Sequence, residues 1–562
     1  MKSHKILNIH PADESLQNLL SKELKISKIV AQLLINRGIK NVPQADKFLN
    51  VKIQHFLDPY TFSDMKLAVD LIKKAAKNKE KVLICGDYDV DGITSVALLK
   101  NTFSGLGLKT SHYIPHRVND GYGLNKNVVT IAKEKNIKLL VTADCGTSSY
   151  EEIKELRRQN RDVILTDHHE PSNCNLPEAS AIINPKIKNC PYKFKDLAGV
   201  GVAFKLCQAL TGSALIDDLD LVSLGTIADV VPLVDENRII VKEGLLRLTM
   251  AKRTGIKSLI EVSRINDREI NSTFVSFILG PRINASGRMD TAETALSLLM
   301  SRDKEEADIF AKSVDTYNRE RQKVEARILE EAQDLINKEI NFKEHKIIIL
   351  AKEGWHQGVL GIVAAKLADR FYRPTIVISL SGNLCKGSGR SIKNFHLFHA
   401  LLECKEHLET FGGHSHAIGL LITKDNIKGF KEKINQLAKE KLKIEDLLPG
   451  LDVDMELDLD SLTEGLAQEI KALEPFGTGN SEPLFFARNL KLKGQPQVLS
   501  RDTLKFWVTD GNVTCSVIAF GMGSLKDSLL NAECLDLVYS LAIDNWRQQN
   551  TLILQAKDLF FR

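Results

Sequence analysis

The most restrictive feature of the sequence is a series of short apolar runs that alternate with segments of helical periodicity. Apolar runs begin at Lys81, Lys138 and Arg161, and strand-like segments lie at Leu108–Pro115 and from Ala181. Strands that alternate with helices of roughly 10–15 residues predict a mostly parallel sheet with helices on both faces. The sequence therefore favours an α/β fold for this part of the chain.

Clusters of polar side chains follow three of these predicted strands directly. The clusters are Asp87, Asp89 and Asp91; Asp144; and Asp167, His168 and His169. A fourth polar site, Asp229, follows an apolar segment further along the chain. Because the carboxyl ends of parallel strands meet at one edge of a sheet, and ligands bind at that edge, we expect these side chains to converge.

Converging carboxylates repel one another unless cations neutralise them. Carboxylate oxygens with imidazole nitrogen suit Mn²⁺ or Mg²⁺, and the histidine favours Mn²⁺. Two such ions about 3.5–4 Å apart would form a clamp for phosphoryl chemistry. Two alternatives compete: a calcium loop, which would need a preceding helix where a strand is predicted, and, for Asp229, a simple helix-capping role.

The remainder of the chain divides into further units. Residues 301–341 lack Pro and Gly and predict one long helix, after which a strand–helix–strand pattern predicts a second α/β unit. Short alternating runs near the C-terminus predict a small β-barrel. The predicted domain boundaries are 1–55 for a helical segment, 56–235 for the catalytic domain, 236–341 for a helical connector, 342–450 for the second α/β domain and 451–562 for the barrel.

Composition excludes several classes of protein. The N-terminus lacks the apolar core of a signal peptide, and no apolar run approaches the roughly 18 residues of a membrane span. The nine cysteines form no CxxC pair, which favours a reducing cytoplasm. The net charge of +4 is compatible with nucleic-acid binding but is too small to indicate it.

The sequence contains no typical nucleotide-binding motif. A glycine-rich phosphate-binding motif of the GxxxxGK type is absent, so no use of ATP is expected. The glycines at Gly199 and Gly201 are too few for a dinucleotide fingerprint.

The Asp167-His168-His169 triplet, together with the other acidic clusters, resembles the DHH phosphoesterase family. That resemblance implies two bound divalent metal ions and no ATP. The metal-ligand positions match Asp89, Asp91, Asp144, His168 and Asp229, with Asp87 as a ligand or close neighbour. It further implies that His169 contacts the scissile phosphate and that Asp167 holds both histidines in place. Cys85 stands four residues before Asp89, where several smaller family members have a metal-binding histidine, and this departure puts the shell of one metal in doubt.

Further motifs resemble the single-strand-specific DNA exonucleases of that family. Gly412-Gly413-His414 is similar to the signature of the substrate-binding DHHA1 domain, and the C-terminal barrel would be an oligonucleotide-binding (OB) domain. The DNA-binding residues implied are Arg117, Arg282, Asn284, Ser388, Arg390 and His414, of which Ser388 and Arg390 match residues that hold a 5′-terminal phosphate. Phe506, Trp507 and Trp546 are candidates for base stacking in the barrel.

The expected function is metal-dependent 5′→3′ hydrolysis of single-stranded DNA in recombination and repair. The alternatives are an oligoribonuclease or nucleotide phosphatase of the same family, whose members are shorter, and a non-catalytic replication scaffold, which would have lost carboxylates. Single-stranded DNA is the expected partner, with a single-strand-binding protein and a helicase as candidate protein partners. A cytoplasmic monomer without membrane association is expected.

Overall fold

The computed structural model describes residues 5–117, 119–121, 123–171, 175–544 and 551–562. The chain divides into two compact units, one with residues 58–229 and 243–449 and the other with residues 5–57, 230–242 and 450–562. Among the described residues, no helix is both long and apolar enough to cross a membrane.

The N-terminal segment is mostly helical, as predicted, and belongs to the second unit. Its elements are β1 (Ile6–Ile9), α1 (Glu14–Leu24), α2 (Lys28–Asn36) and α3 (Val42–Leu49). The side chains of Asp13, Ser27 and Asn41 accept hydrogen bonds from the first-turn amides of the three helices, which is why each helix begins where it does. The strand was not predicted. It forms because β1 gains a parallel partner at residues 450–453, far away in sequence.

The first α/β domain contains the predicted parallel sheet. Its elements are α4 (Met65–Lys77), β2 (Lys81–Gly86), α5 (Val90–Gly105), β3 (Lys109–Tyr113), α6 (Lys126–Glu134), β4 (Leu139–Ala143), α7 (Tyr150–Arg158), β5 (Asp162–Thr166) and β6 (Ala181–Ile183). The strand order is β3-β2-β4-β5-β6, and every pairing is parallel. The three polar clusters follow β2, β4 and β5, which are neighbours in the sheet, so the predicted convergence is confirmed.

Helices complete this domain and connect it to the next one. They are α8 (Gly199–Thr211), α9 (Leu219–Ala228), α10 (Asp235–Met250), α11 (Thr254–Val262), α12 (Ser272–Phe274), α13 (Gly280–Met289), α14 (Glu293–Met300) and α15 (Lys304–Glu339), with a π-helical turn at Val275–Leu279. The predicted long helix is α15, with 36 residues. Its buried side chains recur at helical spacing, and they are apolar toward both ends of the helix and polar in the middle.

The second α/β domain has a mixed sheet. Its elements are β7 (Ile348–Glu353), α16 (Leu360–Phe371), β8 (Thr375–Leu380), β9 (Leu384–Arg390), α17 (Leu397–Leu402), β10 (Thr410–Gly413), β11 (Ala417–Thr423) and α18 (Ile427–Lys441). The strand order is β10-β11-β9-β8-β7, and only β7 and β8 run parallel. The Gly387–Arg390 segment, interpreted from sequence as flexible, forms most of β9 and pairs on both sides, with β8 and β11. Its glycines instead admit neighbouring side chains, since a Cβ on Gly387 would lie 2.8 Å from Leu420.

The C-terminal segment forms the predicted barrel. Its elements are β12 (Gly450–Val453), β13 (Met455–Glu456), α19 (Glu464–Lys471), β14 (Phe485–Leu499), β15 (Thr503–Thr509), β16 (Thr514–Ala519), α20 (Lys526–Leu530), β17 (Leu535–Asp544) and β18 (Thr551–Phe561). The strand order is β13-β14-β15-β16-β18-β17, and an additional pairing of β14 with β17 closes the sheet on itself.

Candidate metal and nucleic-acid site

The turn after β2 presents its carboxylates in a fixed arrangement. Asp89 caps α5, because its Oδ1 accepts hydrogen bonds from the amides of Asp91 at 3.0 Å and Gly92 at 3.1 Å. A Cβ at Gly92 would lie 2.4 Å from the carbonyl oxygen of Asp87, so the turn requires a glycine there. The motif therefore folds back on itself and directs its acidic side chains toward the edge of the sheet.

Asp91 is held by the first amides of α8. Its two carboxylate oxygens accept hydrogen bonds from Gly199 N at 2.6 Å and Val200 N at 2.8 Å. A Cβ at Gly199 would lie 2.4 Å from Asp144 Oδ1, so only glycine permits this close approach. Gly199 thus supports the acidic cluster, a role that no sequence motif predicted.

His168 lies at the centre of the cluster. Its Nε2 is 3.2 Å from Asp144 Oδ1, 3.6 Å from Asp229 Oδ2 and 3.9 Å from Asp91 Oδ2. Three overlapping sets of side chains bring potential ligand atoms within 4.8 Å of one another. The sets are Asp87, Asp89 and Asp144; Asp91, His168 and Asp229; and Asp144, His168 and His169. All six predicted metal ligands are therefore brought together.

The electrostatics of the cluster fit divalent cations. Burial, followed by repulsion from neighbouring carboxylates, raises the pKa of Asp87, Asp144 and Asp229 well above the ordinary value, and that of Asp91 to about 7. Within the described part of the chain, Asp87 Oδ1 and Asp229 Oδ2 are buried without a hydrogen-bond partner. Bound cations would satisfy these oxygens and remove the repulsion.

The pKa values of the two histidines shift in opposite directions. Burial lowers the pKa of His168 to about 3, and this keeps the imidazole neutral, as a metal ligand must be. The pKa of His169 is raised: burial lowers it, but the hydrogen bond to Asp167 and the negative charges of Asp167, Asp87 and Asp89 together outweigh burial. Asp167 itself is buried, yet hydrogen bonds, the strongest from His169, bring its pKa below the ordinary value. Its Oδ1 also accepts from the amides of His168 and His169, at 2.7 and 3.1 Å, so it holds both residues in place.

Cys85, the departure from the family pattern, lies in the apolar core behind the sheet edge. Its side chain is 1% exposed and packs in the cluster that contains Leu83, Leu140 and Leu165. Burial raises the pKa of its thiol. A protonated thiol that belongs to the core is a poor metal ligand, so six residues without Cys85 form the candidate metal site.

Two residues with a predicted DNA contact have protein partners here. Asn284 reaches the site, but its side-chain oxygen accepts a hydrogen bond from Val90 N at 3.2 Å. Arg282 forms an ion pair with Asp315 of α15 at 3.0 Å and donates to the Ile278 carbonyl at 2.8 Å. The structure thus gives both side chains a supporting role, and their contact with DNA stays a prediction.

The remaining predicted DNA contacts are Arg117, Ser388, Arg390 and His414. Arg117 lies over the ring of Tyr88, 4.6 Å from its centre. Ser388 and Arg390 lie beside the first turn of α16, where a Cβ on Gly361 would be 3.1 Å from Ser388 Oγ and 3.2 Å from an Arg390 nitrogen. Arg390 is largely buried, and burial, followed by repulsion from Arg117, lowers its pKa. His414 is exposed in the turn between β10 and β11.

Arg288 is a candidate that the sequence analysis did not single out. It lies on α13, and its Nη1 donates to the Gly358 carbonyl at 3.0 Å. Burial lowers its pKa to about 9, and repulsion from Arg117, Arg321 and Arg390 adds to the effect. Four arginines that repel one another beside an acidic metal site are an arrangement that a bound polyanion would stabilise.

The barrel aromatics differ in exposure. Phe506 is 1% exposed and packs in the barrel core, so the expectation that it stacks on bases is wrong for this conformation. Trp507, the next residue on β15, is 44% exposed and pairs across the sheet with Lys493. Trp546 lies outside the described residues. Trp507 thus remains a candidate stacking residue, with a lysine beside it.

Comparison with known families matches each domain to a family model. Residues 81–226 match the DHH family N-terminal domain, residues 344–440 the DHHA1 domain and residues 453–558 the RecJ OB domain. The parallel sheet with its carboxylate–histidine edge, followed by these two domains, defines a DHH-type phosphoesterase.

Relatives that match over nearly the whole chain identify the family within this class of phosphoesterases. The single-stranded-DNA-specific exonuclease RecJ of Bacillus subtilis is 38% identical over 98% of this chain and 70% of its own length. The corresponding Escherichia coli protein is 33% identical over 94% of this chain and 95% of its own length. The chain belongs to the RecJ family.

A solved structure agrees in fold. The crystal structure of RecJ from Thermus thermophilus in complex with Mn²⁺ superposes on this chain with a TM-score of 0.86. The sequences are 26% identical, and the match covers 100% of this chain and 80% of the Thermus chain. A second structure of that protein is a complex with Mg²⁺, with a TM-score of 0.80. Both of the metals expected from the donor set are therefore bound by this relative.

Proposed function

We propose that this protein is a metal-dependent exonuclease that hydrolyses single-stranded DNA from the 5′ end. The observation that carries the proposal is the buried cluster of carboxylates around His168, with the positively charged arginines beside it. The activity of its RecJ relatives, single-stranded-DNA-specific exonucleases, supports the choice of substrate. An acidic cluster alone would repel DNA, whereas cations and arginines together can hold a phosphate.

The candidate ligands are Asp87, Asp89, Asp91, Asp144, His168 and Asp229. When bound there, divalent cations would supply positive charge to the phosphoryl oxygens and acidity to a water molecule. The carboxylates and the neutral His168 hold the cations, and the backbone amides around Asp89 and Asp91 keep these carboxylates in place.

His169 is the proposed proton-bearing contact to the scissile phosphate. Because the ionised Asp167 can only accept, His169 Nδ1 must donate the 2.8 Å hydrogen bond between them. In that tautomer Nε2 of His169 faces away from Asp167. The raised pKa of the imidazole favours protonation of this nitrogen. A protonated His169 can donate to a phosphate oxygen as negative charge develops on it.

Ser388 and Arg390 are proposed to bind the 5′-terminal phosphate, with Arg117 as a second cationic contact. A hydroxyl and a guanidinium beside the first turn of a helix are suitable donors for a phosphate dianion. A terminal phosphate held there would set polarity, which two metal ions cannot do alone. Arg282, Asn284 and His414 remain proposed DNA contacts, and Trp507 is proposed to stack on a base.

The cellular compartment, the oligomeric state and the protein partners are also proposals. The eight cysteines in the described residues are free, which fits a reducing cytoplasm. A monomer is the proposed state, and a single-strand-binding protein and a helicase are proposed protein partners.

Digestion of end-labelled DNA tests the function. With Mn²⁺, we expect a 5′-labelled single strand to release its label at once, and a 3′-labelled strand to shorten progressively. Blunt duplex should be degraded far more slowly, because its paired ends cannot enter as separated strands. Chelator and the Asp144→Asn variant serve as controls for contaminating nucleases. Progressive shortening of the 5′-labelled strand would show the opposite polarity, and equal rates on duplex would exclude single-strand specificity.

A further inference from the structure

The long helix α15 contains a buried charged group at its middle. Arg321 and Glu325 are 9% and 3% exposed, although both lie on a helix whose other charged residues are mostly exposed. Arg321 donates to the Glu325 carboxylate through Nη1 and to Asn318 Oδ1 through Nη2, at 2.7 Å in the second case. Lys366 of α16 pairs with the same carboxylate. Side chains of its own helix therefore set the direction of the Arg321 guanidinium.

One donor of this group lacks a partner. The buried Arg321 pairs with the buried Glu325, whereas the second cation on that carboxylate, Lys366, has a side chain that is 57% exposed. Within the described residues, Arg321 Nε is buried and has no hydrogen-bond partner. A buried guanidinium donor without an acceptor is unfavourable, and native structures rarely retain one without a reason.

The surroundings of Arg321 carry further positive charge. Arg321 lies close enough to Arg288 for the two charges to repel, and Arg288 is repelled by Arg117 and Arg390 as well. Arg288 also feels the attraction of Asp89 in the candidate metal site. An anionic acceptor between Arg321 and Arg288 would satisfy the unpaired donor and offset the repulsion between the two guanidinium groups.

We propose that Arg321 binds a phosphate of the substrate strand and that Glu325 and Asn318 hold its guanidinium ready for that contact. The inference rests on the proposed function, because it takes single-stranded DNA as the ligand. It gives α15 a second role, since the helix then binds substrate as well as joining the two α/β domains.

The salt dependence of binding tests this proposal without hydrolysis. Affinity for a 5′-phosphorylated, 3′-fluorescein-labelled single strand is measured by anisotropy in chelator at several salt concentrations. Loss of one phosphate contact should lower the slope of log affinity against log salt by about 0.7. We expect Arg321→Gln to bind roughly ten- to a hundredfold more weakly with that smaller slope, the usual loss for one charged hydrogen bond. Arg327→Gln is the matched control, because Arg327 lies on the same helix with a side chain 59% exposed.

A second variant separates binding from folding. Arg321→Lys keeps the charge, so it should restore the wild-type slope while binding more weakly than the wild type. A wild-type slope in Arg321→Gln, with only a lower melting temperature, would overturn the proposal and leave Arg321 a structural residue. Failure of the wild type to degrade single strands in Mn²⁺ would instead overturn the proposed function, and the binding slopes would still decide whether Arg321 contacts a phosphate.

Discussion

Asp167 Oδ1 accepts a hydrogen bond from His169 Nδ1 at 2.8 Å and the amides of both histidines of the triplet. One carboxylate oxygen therefore fixes the tautomer of His169 and the backbone that positions His168. Its other oxygen accepts from Thr147 N at 2.9 Å, so the turn after β4 is tied to the turn after β5. Asp167 thus connects two neighbouring strand ends without being one of the candidate metal ligands.

Asp167→Asn should reduce kcat/KM by roughly 10–100-fold, the usual cost of losing a partner that orients such a site. An amide can still accept from the backbone, but it loses the charge that favours protonated His169. Steady-state hydrolysis of a single strand in Mn²⁺ measures the effect. Asp162→Asn is the control, because Asp162 lies at the other end of β5 and pairs with Arg157. Equal activity of the two variants would remove Asp167 from the mechanism.

Asp89→Ala, Asp144→Ala and Asp229→Ala should each abolish hydrolysis while DNA binding largely survives. The reason is that these carboxylates hold cations and the arginines hold the strand. Nuclease assays in Mn²⁺ and anisotropy with the same strand provide the two measurements. A near-normal rate for Asp144→Ala would contradict a metal site at this sheet edge.

Divalent cations should stabilise the folded protein. The raised pKa values of the buried aspartates mean that their charged forms destabilise the folded state at neutral pH, and a cation relieves that repulsion. Mn²⁺ at 100 times its dissociation constant should add about 2.7 kcal/mol for a single site. Melting curves with chelator and with Mn²⁺ measure the shift.

The Asp144→Asn variant provides a second melting experiment, because it removes one of the repelling charges. In chelator it should melt at a higher temperature than the wild type, and the stabilisation by Mn²⁺ should shrink. A variant that is less stable in chelator yet keeps the full Mn²⁺ shift would place the cation elsewhere.

Arg390→Ala should impair digestion of 5′-phosphorylated strands more than digestion of 5′-hydroxyl strands. Loss of a charged hydrogen-bond partner costs about 1.5–3 kcal/mol, which corresponds to roughly ten- to a hundredfold in kcat/KM. The ratio of kcat/KM on the two substrates is the informative quantity. An equal loss on both would mean that Arg390 does not read the terminal phosphate.

The amino-acid sequence by itself determined the elements that carry the site. Apolar runs that end in Asp87, Asp144 and Asp167 predicted neighbouring parallel strands, and the uninterrupted helical periodicity near residues 301–341 predicted α15. These features are local, because strand and helix periodicity and the rule that parallel strands end at one edge can be applied to the sequence alone. The six candidate ligands followed from that rule and from the family resemblance.

The tertiary structure decided the partners of individual side chains. Asn284 bonds to Val90 N, Arg282 pairs with Asp315, and the glycines of β9 admit neighbouring side chains where the sequence had indicated flexibility. Residues 6–9 became a strand only because residues 450–453 lie beside them. Such contacts join positions far apart in sequence, and no local pattern encodes them.

Phe506 and Trp507 of the barrel show both what the sequence determines and what only the tertiary structure decides. Alternation in the Thr503–Thr509 segment predicts that Phe506 and Trp507 point to opposite faces of a strand. The alternation is symmetric, however, and does not say which face is inside. Closure of the sheet through β14 and β17 buries Phe506 and leaves Trp507 exposed, because only the closed barrel defines an interior.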